Sequence, residues 1–368
     1  MSELAQRFRR FAQRECDASP LYRRLAEGVA DAPDLLAIAA TGGVGPKPNL
    51  FLAAVQYLLL QDHEADCHAD DRPPQRAESG NEKPIGISLS DFYPTVSHAD
   101  PPPGDPYPFF HAFCLRHEKA LRHLMTERLV QTNEVNRSAV LFAAYGWLAP
   151  RLEQRPLALI ELGTSAGLLL LWDKYRYDYG DGSWHGALAS PVAIRCLLRG
   201  AVRPPLLDAQ VNVVSRTGID LSPVDPRDAD EAMWLQALVW GDQRERAERL
   251  RGALSVALQE PPKLVTGDAL QELPAVLGAV PAGVVPLVFH SHTLNQLTPD
   301  ARAEFHGLLS SQSRERDIWH ISMEWLSGGE WPELEVSRYS QGTLRERHTL
   351  ARYGAHGDWL EWTIPAAR

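Results

Sequence analysis

The sequence predicts an α/β fold: a mostly parallel sheet with helices on both faces and closing antiparallel strands, preceded by a helical amino-terminal domain. Three observations carry this expectation. Over the first 150 residues, apolar side chains such as Phe8, Phe11, Leu21, Tyr22 and Leu25 recur at three- and four-residue steps with charges between them, the period of an amphipathic helix. From Pro156 onward, short apolar runs alternate with helical patterns, the texture of βα units stacked into a parallel sheet. Near the carboxyl end, segments 335–339 with 343–353, and then 359–364, read as a closing antiparallel pair. The expected division is residues 1–150 as a helical cap or substrate domain and 151–368 as the α/β domain.

Within the first part, Asn49 is the expected N-cap of a helix over 50–60. Residues 62–106 turn polar and proline-rich and read as a long loop, interrupted by a short apolar piece at 85–92. In that loop, His63, Cys67 and His68 with nearby carboxylates lack a second cluster at structural-zinc spacing, so a solvated loop is expected and no metal. A long helical stretch follows over 110–148, with an unusually polar run at 131–137 inside it. The expected strands of the second part are Leu157–Leu162, 211–220, Lys263–Thr266, 284–289 and Ile318–Glu324. Residues 175–182, with their Gly-Asp-Gly turn, read as a β-hairpin.

Composition bounds the function. A chain of 368 residues supports two domains or one elaborated domain. Apolar content of 44% and charged content of 23% are ordinary for a soluble globular protein. The formal net charge of −10 argues against a nucleic-acid binder and leaves a small molecule as the favoured partner. The four cysteines form no CxxC pair and read as reduced thiols of a cytosolic protein. The amino terminus has no signal-type apolar stretch. The longest clean apolar run, 50–60 apart from Gln56, is too short to span a bilayer. A soluble cytoplasmic protein without a membrane partner is expected.

The strongest local signal is the expected first strand running into Glu161-Leu162-Gly163-Thr164-Ser165-Ala166-Gly167, then apolar residues 168–172. It predicts a strand, a glycine turn and an apolar helix capped by Thr164 or Ser165. Such a turn lets the backbone approach a ligand, and a helix N-terminus offers it N–H groups. The glycine spacing is wrong for the G-x-G-x-x-G dinucleotide fingerprint. It matches the G-x-S-x-G nucleophile elbow letter for letter, and it also fits an acidic residue followed by a glycine-rich cofactor loop in which Ser165 replaces the middle glycine. An ordinary glycine-rich βα turn is the bland alternative.

The later strand ends favour the cofactor loop. Thr217-Gly218-Ile219-Asp220-Leu221-Ser222-Pro223 closes the next strand on a carboxylate and is expected to start a helix. A carboxylate there is placed to accept both hydroxyls of a ribose. Gly267-Asp268-Ala269 ends a third strand, where Asp268 is placed to accept from an adenine amino group. His290 and His292, at the end of a fourth strand, are expected to face the ligand crevice with Asn295, followed by a helix opening at Thr298-Pro299. Their ordinary pKa lies near neutrality, which suits a general base.

This succession resembles the S-adenosylmethionine-dependent methyltransferase superfamily, whose core is a Rossmann-like, doubly wound sheet. The resemblance implies S-adenosylmethionine as cofactor, held by Glu161, Gly163, Thr164, Ser165, Gly167, Asp220, Leu221, Asp268, Ala269 and His290, with His290 or His292 as base. More closely, TNEVNRSA taken with ELGTSAGL and GIDLSPVDP resembles an uncharacterised bacterial family defined as a domain of unknown function. That likeness, together with their three- and four-residue helical spacing, puts Asn133, Glu134 and Arg137 at the crevice, choosing a small-molecule acceptor for methylation on oxygen or nitrogen; a plain polar helix surface is the alternative. The 53 positions between Gly167 and Asp220 exceed the roughly 20 of a tight nucleotide unit. Two further readings stay open: a serine hydrolase using Ser165, with its histidine among His290, His292, His348 and His356, and a cofactor-binding protein without transferase activity.

Overall fold

A computed structural model describes residues 2–43, 45–70, 87–131, 133–206, 211–325 and 329–364, with side chains 66–70 excluded. The chain forms two compact units, residues 1–132 with 229–248 and residues 133–228 with 249–368.

The first unit is helical. It holds α1 (Glu3–Arg14), α2 (Pro20–Ala30), α3 (Pro33–Ala39), α4 (Lys47–Asp70), α5 (Pro94–Ser97), α6 (Tyr107–Arg116) and α7 (Glu118–Glu127). Ser2 and Ser19 cap α1 and α2 by accepting from the amides of Ala5 and Tyr22, and Pro20 preorganises the first turn of α2. Phe8, Leu25, Phe51 and Phe110 are fully buried in its core. Gln56, the polar interruption of the 50–60 run, accepts from Tyr22 Oη at 2.8 Å and donates to the Val239 carbonyl at 2.8 Å. A buried amide is tolerated because both its ends are bonded.

Three expectations are corrected here. The α4 helix starts at Lys47, so Asn49 lies inside it and accepts from Trp240 Nε1 rather than capping. The helix runs to Asp70, so His63 is helical rather than in a loop; the Cys67 and His68 side chains lie outside the described residues. The stretch 110–148 is not one helix. It breaks after α7, and the polar run leads into a 3-10 turn (Val135–Arg137) in which Glu134 accepts from the Asn136 amide. Of the apolar piece 85–92, residues 85 and 86 lie outside the described residues, and Leu89–Phe92 is a 3-10 turn. Among the described residues no helix is long and apolar enough to cross a membrane.

The second unit opens with α8 (Ser138–Leu148), buried along its whole length, and is built on a nine-stranded sheet. Its strands are β1 (Leu157–Leu162), β5 (Leu197–Arg199), β6 (Val213–Asp220), β7 (Lys263–Thr266), β8 (Val285–Ser291), β9 (Ile318–Glu324), β10 (Glu333–Ser340), β11 (Thr343–Tyr353) and β12 (Trp359–Trp362). Five are parallel, in the order β7-β6-β1-β8-β9. Antiparallel β10, β11 and β12 extend the β9 edge, and β5 pairs with β12. The chain thus leaves β1 toward β6 and β7 on one side, then returns to β8 and β9 on the other. This is a mixed α/β unit with a mostly parallel sheet. The helices α11 (Ala269–Gly278) and α12 (Pro299–Gln312) follow β7 and β8; α12 opens at Thr298-Pro299 as expected, with Thr298 as its cap. Helix α9 (Ala229–Ala237), residues 238–243 and the start of α10 (Arg244–Gln259) make up the 229–248 segment of the first unit.

The long gap between β1 and β6 holds the expected hairpin. β2 (Arg176–Asp178) pairs antiparallel with β3 (Trp184–Gly186), and β4 (Ala193–Arg195) adds a parallel third strand. Gly180 and Gly182 turn the hairpin at φ 76° and 85°. Two expected helices are absent. No α-helix follows β1; Leu168–Lys174 is a kinked 3-10 helix with Gly167 as its N-cap and no side-chain cap from Thr164 or Ser165. Nor does Ser222-Pro223 open a helix, for 221–228 is irregular.

Candidate functional site

The carboxyl end of β1 feeds a turn whose backbone is left-handed three times, at Gly163 (φ 71°), Ser165 (φ 50°) and Gly167 (φ 71°). A Cβ on Gly163 would lie 2.3 Å from Thr293 Oγ1, and one on Gly167 would lie 2.6 Å from Pro262. Only glycine meets both the torsion and the contact there. Thr164 donates its hydroxyl to Glu161 Oε2 at 2.7 Å and sits where a Cβ on Gly218 would be. Burial pushes the Glu161 carboxyl well above the usual carboxylate range.

The turn is tied to the neighbouring strand by a side chain. Asp220, last in β6, accepts from the Ser165 amide at 2.8 Å through Oδ2 and from the Ser222 amide at 2.9 Å through Oδ1. Asn133 Nδ2 donates to Ser165 Oγ at 3.2 Å. The glycine turn, the β6 carboxylate and the polar run before α8 therefore meet at the carboxyl ends of β1 and β6.

The rest of that polar run clamps a different loop. Glu134, buried, accepts from the Asn136 amide and pairs with His356 Nδ1 at 3.2 Å. Arg137 donates to the Ala355 carbonyl at 2.9 Å and to Ser291 Oγ at 3.3 Å. Asn136 donates to the Gly357 carbonyl at 2.7 Å, so the β11–β12 loop is held against the end of β8. The spacing of 133, 134 and 137 has no helical face to work with, because this segment is extended before its 3-10 turn.

The two histidines part company. His290, expected at the crevice, is fully buried, with Nδ1 at 2.7 Å from Glu324 Oε1 and Nε2 at 2.9 Å from His320 Nε2. Alternate residues of one strand share a face, but β8 ends at Ser291 and His292 turns away at φ 54°. His292 is partly exposed and bonds Tyr353 Oη at 3.1 Å. Burial, then the charge of Arg137, lowers its pKa to about 4.

Of the remaining candidates, Leu221 is 75% exposed. Asp268 is the N-cap of α11, accepting from the Leu270 amide at 2.8 Å, and Ala269 packs on the core beneath that helix. Asn295 is exposed. Sequence reading missed Ser291, Thr293 and Tyr353, named His356 only as a possible hydrolase histidine, and passed over His320 and Glu324, whose four-residue spacing on one strand was the available signal. Among the described residues no group of three or more His, Cys, Asp or Glu side chains is arranged to hold a metal.

Residues 5–70 and 82–362 match the model of a family described as an uncharacterized protein conserved in bacteria, DUF2332. The chain belongs to that family. The match spans the helical unit and the sheet unit alike. No curated protein matches the chain.

Proposed function

We propose that this DUF2332 member binds S-adenosylmethionine across the carboxyl ends of β1, β6 and β8 and transfers its methyl group to a small-molecule acceptor. The observation that carries the reading is the bond from the Ser165 amide to Asp220, which joins the glycine turn to the β6 carboxylate. It lies where the chain order reverses about β1, and open α/β sheets bind ligands in the crevice at such a reversal. Each Asp220 oxygen accepts one backbone amide and keeps lone-pair capacity for a ribose hydroxyl. The turn fits less generously than a helix N-terminus would, since a 3-10 helix follows it.

The cofactor would supply an electrophilic methyl carbon. The chain's part is to align the acceptor and exclude water. Ser165 and Asp220 fix the nucleoside end. His292, neutral near pH 7, serves as a hydrogen-bond partner, because a group with a pKa of about 4 is a weak base there. His290 is enclosed and is withdrawn as a base. An acceptor nitrogen attacking with its own lone pair suits this arrangement better than an alcohol. Asp268 is given over to capping α11.

The G-x-S-x-G reading gains from the left-handed Ser165, but its four histidines are engaged elsewhere. His290 bonds Glu324 and His320, His292 bonds Tyr353, His348 bonds Glu346 and His356 bonds Glu134. Titration calorimetry with S-adenosylmethionine and S-adenosylhomocysteine tests the proposal. The wild type should release heat with both, and Asp220→Asn should weaken binding about tenfold, roughly the loss of one charged hydrogen bond. No heat from the wild type overturns the reading. Fluorophosphonate labelling that disappears in Ser165→Ala would replace it with a hydrolase. Binding without methylation of any compound in a metabolite extract would leave a cofactor-binding protein.

A further inference from the structure

We infer that Glu324 is a positioning residue for the crevice, fixing the loop after β8 through three consecutive backbone amides and the buried His290–His320 pair. Glu324 is the last residue of β9 and only 1% exposed. Its Oε1 accepts from the Thr293 amide at 2.8 Å, the Leu294 amide at 2.9 Å and His290 Nδ1 at 2.7 Å, and its Oε2 accepts from the Asn295 amide at 3.2 Å. Successive amides converging on one anion form the concavity by which a backbone binds phosphate. Here the anion is the protein's own.

The loop needs such an anchor. His292 holds a left-handed backbone, which costs a non-glycine residue about 1 kcal/mol or more, and strand pairing has ended at Ser291. Thr293 then donates to the Leu162 carbonyl at 3.1 Å and occupies the space a Gly163 Cβ would take. A continuous line of contacts therefore runs from Glu324 through Thr293 to the glycine turn.

The histidines make the anchor an ionised one. Burial pushes the Glu324 carboxyl up, but the hydrogen bond and charge of His290 and the amides of Leu294 and Thr293 outweigh it, leaving the carboxyl below its usual range. With the His290 Nδ1–H donated as a hydrogen bond to the Glu324 carboxylate, one proton is left between the facing Nε2 atoms of His290 and His320. Burial first, then the charge of His290, holds His320 neutral. The other groups around this chain are His306 on α12, which bonds Tyr339 of β10 at 2.9 Å, and Arg347 of β11.

That the loop borders a cofactor site rests on the proposed function; that Glu324 orders the loop does not. Hydrogen exchange and proton NMR test the inference on the full chain. In Glu324→Gln, exchange over 291–297 should rise about tenfold and spread to 162–167, while the rest of β1 and β8 stays protected. A slowly exchanging imidazole N–H signal should be present in the wild type and in Glu324→Asp and should exchange faster in Glu324→Gln, whose uncharged oxygen is the weaker acceptor. S-adenosylmethionine affinity should fall with the loop. Unchanged exchange over 291–297, or a rise spread evenly through the sheet, overturns the inference. A local rise in a protein whose wild type binds no cofactor sinks the proposed function and leaves the positioning role standing. If Glu324→Gln does not fold, Thr293→Val reads the same line from its other end. Exchange over 162–167 should rise with the imidazole signal intact, and no rise there overturns the coupling.

Discussion

Glu161 is a carboxyl kept where its charged form is disfavoured. Burial raises its pKa well above 4.5, opposed by the Thr164 hydrogen bond and reinforced by the Asp220 charge. A group whose folded pKa is raised gives stability that is complete below the unfolded value and is lost as pH climbs toward the folded one. Glu161→Gln keeps an oxygen for Thr164 and does not titrate. Relative to wild type, it should gain about 1 kcal/mol or more between pH 4.5 and 8, read from urea denaturation at both values. Gly163 and Gly182 separate torsion from sterics. Both are left-handed, but a Cβ at Gly163 meets Thr293 whereas one at Gly182 meets nothing. Gly182→Ala should cost about 1 kcal/mol and Gly163→Ala at least roughly twice that. Equal losses in melting temperature would mean that the turn does not press on Thr293.

At the scale of elements, Asp268 decides between a cap and a ligand contact. As the α11 cap, Asp268→Ala should cost about 1 kcal/mol and Asp268→Asn close to nothing. Cofactor affinity should change less than about twofold in either variant. A tenfold loss of affinity in Asp268→Asn at unchanged stability would return this residue to the site. Several strands were legible in the sequence: the bounds of β1, β7, β9 and β11 are those their apolar or alternating runs predict, and β1, parallel to both neighbours and buried throughout, reads as a nearly continuous apolar segment. The helix expected after β1 was not legible as a 3-10 turn. Residues 168–172 are apolar at every position, which fits either form. Tertiary contacts decide, since Tyr175 bonds the Leu168 carbonyl, Arg216 the Leu170 carbonyl and Tyr177 the Trp172 carbonyl, the acceptors an α-helix would use itself. The site divides the same way. Gly163, Gly167 and Asp220 announce themselves by local pattern. Glu324, His290 and His320 meet only because β8 and β9 pair with His290 opposite Ser322, a register no single sequence prints.

Across the whole molecule, three histidines held wholly or partly away from water set how the protein meets acid. His292, His306 and His320 all lie below the ordinary value of 6.5, each chiefly through burial. The folded state refuses protons that the unfolded chain accepts near pH 6.5, so between that value and the folded pKa the unfolded state binds more of them. Stability therefore rises with pH through this window and is lost on acidification. For His292, with a pKa of about 4, the loss amounts to as much as ~3 kcal/mol. Glu324, whose pKa is lowered, adds a loss of the same sign as pH falls toward its folded value. Glu161 works the other way, since acid relieves its burial. The wild-type urea midpoint should thus fall from pH 7 to 4.5, and Glu161→Gln, stripped of the opposing group, should fall more steeply. A midpoint that stays level in Glu161→Gln over that range would mean that the three histidines are not held neutral in the folded protein.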